Sequence, residues 1–191
     1  MKKIILFASG SGTNAETIVR YFAARKTAKV EAVFTNNPLA MVIARAQSHQ
    51  VPVVVFTRAE FESGKVLEIM NQYSPDLIVL AGFLWKMPAA IVQAFPDKIL
   101  NIHPALLPKY GGKGMYGLHV HQAVLDHNET ETGISIHVVN EHYDEGALLF
   151  QQSVSIVGCQ SAEEVAQKVH ELEHAYFSSV IESYLTSQTA C

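Results

Sequence analysis

The sequence predicts an α/β protein: a doubly wound, mostly parallel sheet, with an antiparallel strand pair in its C-terminal part and a long closing helix. Three observations carry this reading. Short apolar runs alternate with helix-patterned segments from Lys3 to Ile102, the mark of strand–helix–strand units with right-handed crossovers. Two strand-like runs with a short connection follow within residues 132–157, which favours antiparallel pairing. An unbroken helical pattern then covers Ser161–Leu185.

Taken in order, Lys3–Ala8 reads as a first strand that stops at a Gly/Ser turn, Ser9-Gly10-Ser11-Gly12. Thr13–Arg25 is helical, with Ile18, Val19 and Phe22 on one face. Val30–Thr35 is a second strand ended by Asn36-Asn37-Pro38, and Leu39–His49 a helix. Val51–Phe56, rich in β-branched residues, is a third strand. Arg58–Tyr73 reads as one helix and Asp76–Ala81 as a fourth strand. A helix is expected to begin near Pro88, since proline suits a first helical turn. Ile99–Ile102 is the fifth strand, followed by a flexible loop over Gly111–Gly117 and a helix at Leu118–Asp126. In Thr132–Val139, Ile134, Ile136 and Val138 alternate with polar neighbours, and Ala147–Val157 supplies the partner strand. On the closing helix Ser161 stands as N-cap with Glu164 in the capping-box position.

Composition narrows the class. With 191 residues and 49% hydrophobic content the chain can bury a full core, and one domain over 1–191 is expected. A net charge of −4 without any Lys/Arg run argues against a nucleic-acid partner. Cys159 and Cys191 are too few and too far apart for a disulfide framework or a metal site. The apolar run after Met1 is only a strand long, and no stretch approaches membrane-spanning length, so no membrane partner and a cytoplasmic location are expected.

Asn101-Ile102-His103-Pro104 is the stretch most suggestive of chemistry. It sits where the fifth strand stops, at the carboxyl edge where open α/β sheets bind ligands. An amide and an imidazole two residues apart suit acyl transfer, one as an oxyanion donor and the other as a proton-transfer group. Asp144, in the turn before the last strand, would orient His103 and raise its pKa. His137 is expected on an inward strand face nearby, as a hydrogen-bonding neighbour. Taken singly, Asn101, His103 and Asp144 each read rather as turn or packing; what favours a site is that all three can reach the sheet's carboxyl edge beside the glycine turn.

The turn Ser9–Ala15 matches a loose G-x-G-x-x-G/A pattern between a strand and a helix. The acid a dinucleotide site needs is missing from the end of the second strand, where Phe34-Thr35-Asn36-Asn37 stand. A phosphate monoester on a smaller ligand fits better, and a plain tight turn with a Thr13/Asn14 cap stays open. His119 and His121 lie two apart on a helix and do not share a face, so no metal is expected. His174 is expected to be capped or packed. Phe83-Leu84-Trp85-Lys86-Met87 follows the fourth strand and could wall a slot for a flat heteroaromatic group, or pack under the next helix.

Across nearly its whole length the chain closely resembles the phosphoribosylglycinamide formyltransferase family, the folate-dependent enzymes of purine biosynthesis. The matching residues run from Gly10–Asn14 through Asp76–Phe83, Asn101–Pro108, Gly133–His137 and Asp144-Glu145-Gly146 to Glu173-His174. The Asn-x-His-Pro stretch with the later Asp marks the wider formyltransferase superfamily; the glycine turn and Glu173-His174 narrow it. The resemblance implies a single Rossmann-like formyltransferase domain acting on small molecules, as monomer or homodimer, with 10-formyltetrahydrofolate as co-substrate and no metal.

It also implies roles. Gly12, Thr13 and Asn14 would hold the ribose phosphate, and His170 and Glu173 would contact the phosphoribosylglycinamide. Arg58, Leu84, Trp85, Lys86 and Met87, with Asn101 and Asn140, Glu141, His142, Tyr143 and Asp144, would line the folate slot. Asn101, protonated His103 and Asp144 would be the catalytic group, with His137 in support. His170 stands where other members often carry Gln or Lys, Trp85 is bulkier than expected, and the Gly111–Gly117 loop is longer than in many members. Three alternatives share parts of this pattern. Methionyl-tRNA formyltransferase is expected to need an appended RNA-binding domain and a basic face. Formyltetrahydrofolate deformylase, a hydrolase normally preceded by a regulatory domain, would put water in place of the amine. A phosphate-ligand-binding module would need a damaged catalytic group, whereas all three residues are present.

Overall fold

The computed structural model describes residues 1–188, so Cys191 lies outside the described residues. Two compact units emerge: residues 1–100 together with 178–188, and Asn101–Phe177.

The first unit holds β1 (Lys2–Phe7), α1 (Thr13–Arg25), β2 (Ala28–Thr35), α2 (Val42–Ser48), β3 (Val53–Val55), α3 (Arg58–Glu62), α4 (Lys65–Tyr73), β4 (Leu77–Leu80) and α5 (Ala89–Ala94). Its strand order is β3-β2-β1-β4, with every pair parallel. Parallel strands are covered on both faces, which is why Ile4–Phe7 and Leu77–Leu80 are continuous apolar runs, all at most 5% exposed. Phe7 is the centre of the packing: its ring stacks on Phe34 at 4.9 Å and meets Phe83, Phe56 and Phe61 at 5.2–6.4 Å. Each such buried ring contributes about 1.5–3 kcal/mol.

Several element bounds differ from the sequence pattern. The helix expected over Arg58–Tyr73 is two, because the chain leaves helical geometry at Ser63-Gly64, where Gly64 has φ 90. The helix expected from Leu39 begins only at Val42, since Asn37 Oδ1 accepts the Leu39 N–H and holds a turn there. β3 spans three residues rather than six, as Pro52 supplies no donor to a ladder.

In the second unit β5 (Ile99–His103, beginning at the boundary), α6 (Leu118–Asp126), β6 (Glu131–Val138) and β7 (Leu148–Ser155) are followed by α7 (Ala162–Ser187), whose residues from Ser178 belong to the first unit. The strand order is β5-β6-β7, with β6 and β7 antiparallel as expected. Ile134, Ile136, Val120, Val124, Val165 and Val169 are fully buried in this unit. Ser161 Oγ accepts the Glu164 N–H, but the Glu164 carboxylate reaches back one residue further than a capping box, to the Gln160 N–H.

Candidate active site

The end of β5 is held from below. Pro104 cannot donate to a ladder, so the chain leaves the strand after His103. Ser135 Oγ then donates to the Ala105 carbonyl (2.7 Å) and accepts the Leu107 N–H (2.9 Å), while Gln151 Nε2 donates to the Leu107 carbonyl (2.8 Å). Residues 104–107 are thereby fixed on β6 and β7. Asn101 and His103, two apart on β5, share one strand face.

Asp144 approaches that face from the turn after β6, with φ 53. Its Oδ2 accepts the Gly112 N–H at 2.9 Å and lies 3.6 Å from His103 Nδ1. Its Oδ1 is 3.5 Å from Asn101 Nδ2 and 3.6 Å from His137 Nε2. His103 Nε2 stands 2.7 Å from the Tyr110 carbonyl, which can only accept, so this nitrogen carries a proton and Nδ1 is the one turned to Asp144. Likewise the Asn101 amide donates to His137 Nε2 (3.1 Å), and His137 Nδ1 donates to the Val138 carbonyl (3.1 Å). The turn lies tight on β6: a Cβ at Gly146 would overlap the Val138 carbonyl and meet His137 Nδ1 at 3.4 Å.

Burial corrects one expectation. His103 is 3% exposed, and its burial pushes the imidazole pKa below its ordinary value even though Asp144 and the Tyr110 carbonyl pull it upward. Burial alone would raise the Asp144 carboxyl, but its polar surroundings, the Gly112 amide among them, hold it below the usual carboxylate range. The pair therefore rests as a carboxylate beside a mostly neutral imidazole.

A second group of titratable residues belongs to the same unit. His170 Nδ1 is 2.7 Å from Glu173 Oε2, and this bond raises the His170 pKa; Glu173 is 5% exposed. His121 is buried on α6 with its Nδ1 lacking a hydrogen-bond partner among the described residues, and burial pushes its pKa down to about 4. His174 is exposed and stacks on His170 at 6.4 Å, rather than packing inward. Asn140 Oδ1 accepts the His142 N–H (2.9 Å), while Glu141, His142 and Tyr143 are exposed on the same turn.

In the first unit, Gly12 (φ 75) is the N-cap of α1, and no side chain caps the helix, so the Thr13/Asn14 cap does not form. Ser9 ties this turn to the loop after β4: its N–H donates to the Gly82 carbonyl, and its Oγ accepts the Leu84 N–H, both at 3.0 Å. Trp85 is half-buried against Phe56, Phe61 and Phe83 at 6.0–6.3 Å, and the Arg58 guanidinium sits 4.9 Å over its ring. Met87 is buried; Leu84 and Lys86 are exposed.

The structure thus gathers Asn101, His103, His137 and Asp144, and separately pairs His170 with Glu173. Sequence reasoning missed the Tyr110 carbonyl and Gly112 amide, which act through the backbone, and gave Gly146 no steric role although it stands in the matching Asp144-Glu145-Gly146 stretch. His121 drew notice only as a metal ligand, although its place on the apolar side of Leu118–Asp126 signals burial. Among the described residues no group of three or more His, Cys, Asp or Glu could hold a metal ion. Among them, too, no helix is long and apolar enough to cross a membrane.

The family model for formyl transferases matches residues 2–181. Phosphoribosylglycinamide formyltransferase of Haemophilus influenzae is 36% identical over 187 residues, covering 95% of this chain and 86% of that protein. The chloroplastic phosphoribosylglycinamide formyltransferase of Arabidopsis thaliana is 38% identical over 94% of this chain. The chain spans 64% of that protein's length and 60% of the corresponding Vigna unguiculata protein. The crystal structure of phosphoribosylglycinamide formyltransferase from Bacillus halodurans superposes with a TM-score of 0.88 at 30% identity, covering 96% of this chain and 95% of that one.

Proposed function

Because the chain belongs to the formyl transferase family, with phosphoribosylglycinamide formyltransferases as its relatives, we propose that it transfers the formyl group of 10-formyltetrahydrofolate to the amine of 5-phosphoribosylglycinamide, a step of de novo purine biosynthesis. The observation that carries this reading is an amide donor and an imidazole on one strand face gathered about a carboxylate, whose oxygens lie 3.5 Å from the amide nitrogen and 3.6 Å from the imidazole.

The proposed chemistry is as follows. The substrate amine attacks the formyl carbon, forming the new C–N bond and placing negative charge on the formyl oxygen. Asn101 Nδ2 donates to that oxygen. His103, neutral at rest, takes up at Nδ1 the proton that the amine sheds, and the cation so formed faces both the oxyanion and the Asp144 carboxylate. Asp144 stabilises this cation, and His103 returns the proton to the folate nitrogen as the old C–N bond breaks. His137 positions Asn101 by accepting its amide proton. An oxyanion donor of this kind is worth about 3–4 kcal/mol in the transition state.

The remaining assignments follow the family. Gly12, Thr13 and Asn14 take the phosphate, and His170 and Glu173 take the ribose. Arg58, the Leu84–Met87 segment and residues 140–144 serve the folate, the last two mainly through backbone groups.

A steady-state assay with 10-formyltetrahydrofolate, run with and without phosphoribosylglycinamide, tests the proposal. Folate product that appears only with the amine supports the transferase. Formate released without the amine identifies a deformylase instead, and no turnover in either condition refutes the proposal.

A further inference from the structure

The glycine turn of the first unit is shaped from outside by α2, and the contact responsible is specific. The Val42 N–H donates to the Gly10 carbonyl at 3.2 Å. Arg45 Nε donates to the next carbonyl along, that of Ser11, at 3.0 Å, while its Nη1 pairs with Glu16 in the first turn of α1. A trans peptide directs its C=O and its N–H to opposite sides. Two successive carbonyls held by α2 therefore aim two successive amides, those of Ser11 and Gly12, away from α2. Consecutive N–H groups presented together form an anion-binding concavity, here continuous with the uncapped start of α1. The approach of α2 is close enough that a Cβ at Gly12 would overlap the Val42 side chain.

Resting on the functional reading above, we propose that Arg45 is a positioning residue for the phosphate end of the substrate, acting through the Ser11 carbonyl and never touching the phosphate itself. Its charge is not the main agent, because Glu16 neutralises it. His49 Nε2, 3.3 Å from the other Glu16 oxygen, helps hold that carboxyl in its charged form, as Arg45 does. The planar guanidinium is what allows one side chain to reach a carbonyl and a carboxylate at once, which an ammonium does not reproduce.

The experiment compares wild type, Arg45→Met and Arg45→Lys. For Arg45→Met, KM for phosphoribosylglycinamide is expected to rise about tenfold, the effect of misaligning one amide that binds an anion. KM for 10-formyltetrahydrofolate and kcat at saturation stay within about twofold of wild type. Glycinamide riboside, which lacks the phosphate, should react equally well with both proteins. Arg45→Lys should resemble Arg45→Met; full recovery by lysine overturns the geometric role. An unchanged KM, or equal losses with and without the phosphate, overturns the inference and leaves Arg45 a structural residue. Calorimetric titration with ribose 5-phosphate judges the clamp without turnover. If wild type fails to transfer to phosphoribosylglycinamide, the functional reading falls, while weaker ribose 5-phosphate binding by Arg45→Met still supports the clamp. Equal binding by the two proteins, or none by wild type, overturns it.

Discussion

Asp144 Oδ2 stands 3.6 Å from His103 Nδ1, too far for a tight hydrogen bond and close enough for each charge to feel the other. The carboxylate's firm partner is instead the Gly112 amide at 2.9 Å. The position of the acid is thus set by backbone, and under the proposed mechanism its charge acts on an imidazolium formed during the reaction.

Asp144→Asn should therefore separate charge from shape. Residue 144 occupies the left-handed region, which Asn accepts as readily as Asp. The variant is expected to fold with an unchanged spectrum and to lose formyl transfer by about 10²–10⁴-fold, the range of a general acid–base group. An unchanged kcat would remove Asp144 from the mechanism.

Asn101→Ala removes the amide that faces Asp144 and His137. Turnover is expected to drop by about 10²–10³-fold, as for other oxyanion donors. Thermal denaturation should show a stability loss of only about 1 kcal/mol, since the side chain is half-buried and makes one good hydrogen bond. A loss of stability as large as the loss of activity would argue that Asn101 is structural.

Acid should weaken the protein in a defined window. His121 has a folded pKa of about 4, below the ordinary 6.5, and burial is the cause. A depressed histidine contributes its full stability above pH 6.5, and that contribution is lost as pH falls from 6.5 towards 4. The loss over this window approaches about 3 kcal/mol, at about 1.4 kcal/mol per pH unit. His103 acts in the same direction; His170, whose pKa is raised by Glu173, acts in the opposite one and favours the folded state at lower pH. Urea unfolding at pH 7 and pH 5 should show the fall, and His121→Gln should flatten it. Equal slopes for the two proteins would exclude His121 as the source.

Arg58 and Trp85 should divide stability from binding. Arg58 is exposed, paired with Glu62 and stacked on the Trp85 ring, so Arg58→Ala should cost under about 1 kcal/mol of stability. Trp85→Ala, which strips a half-buried ring from three phenylalanines, should cost about 1–3 kcal/mol. Both variants are expected to raise KM for 10-formyltetrahydrofolate and leave that for the amine unchanged, in a two-substrate steady-state assay.

What could be read in advance from the sequence follows from where the information sits. Long apolar periods such as Ile4–Phe7, or Ile134 and Ile136, identified their elements because burial of a repeated face is a local property of the chain. The juxtaposition of Asn101, His103 and Asp144 was legible as chemistry plus position at a strand end. The break of the α3–α4 segment is hidden because apolar positions continue on both sides of Gly64, and a single glycine inside a helical pattern either is tolerated or ends the helix. The sign of the His103 shift was missed for a different reason. A carboxylate neighbour can be named from residue types, but the desolvation that outweighs it depends on the packing of the whole unit.

Gly146 carries no functional group, yet the spacing of the carboxylate from both imidazoles depends on it. With the Val138 carbonyl occupying the space of its missing Cβ, even alanine must lever the 144–146 turn off the strand and carry Asp144 outward. In a saturation-mutagenesis map this position should then look as intolerant as the acid two residues before it, and for a purely steric reason. Genetic screens for inactive alleles would recover it beside Asp144, and a soluble, full-length product with no turnover would be its signature.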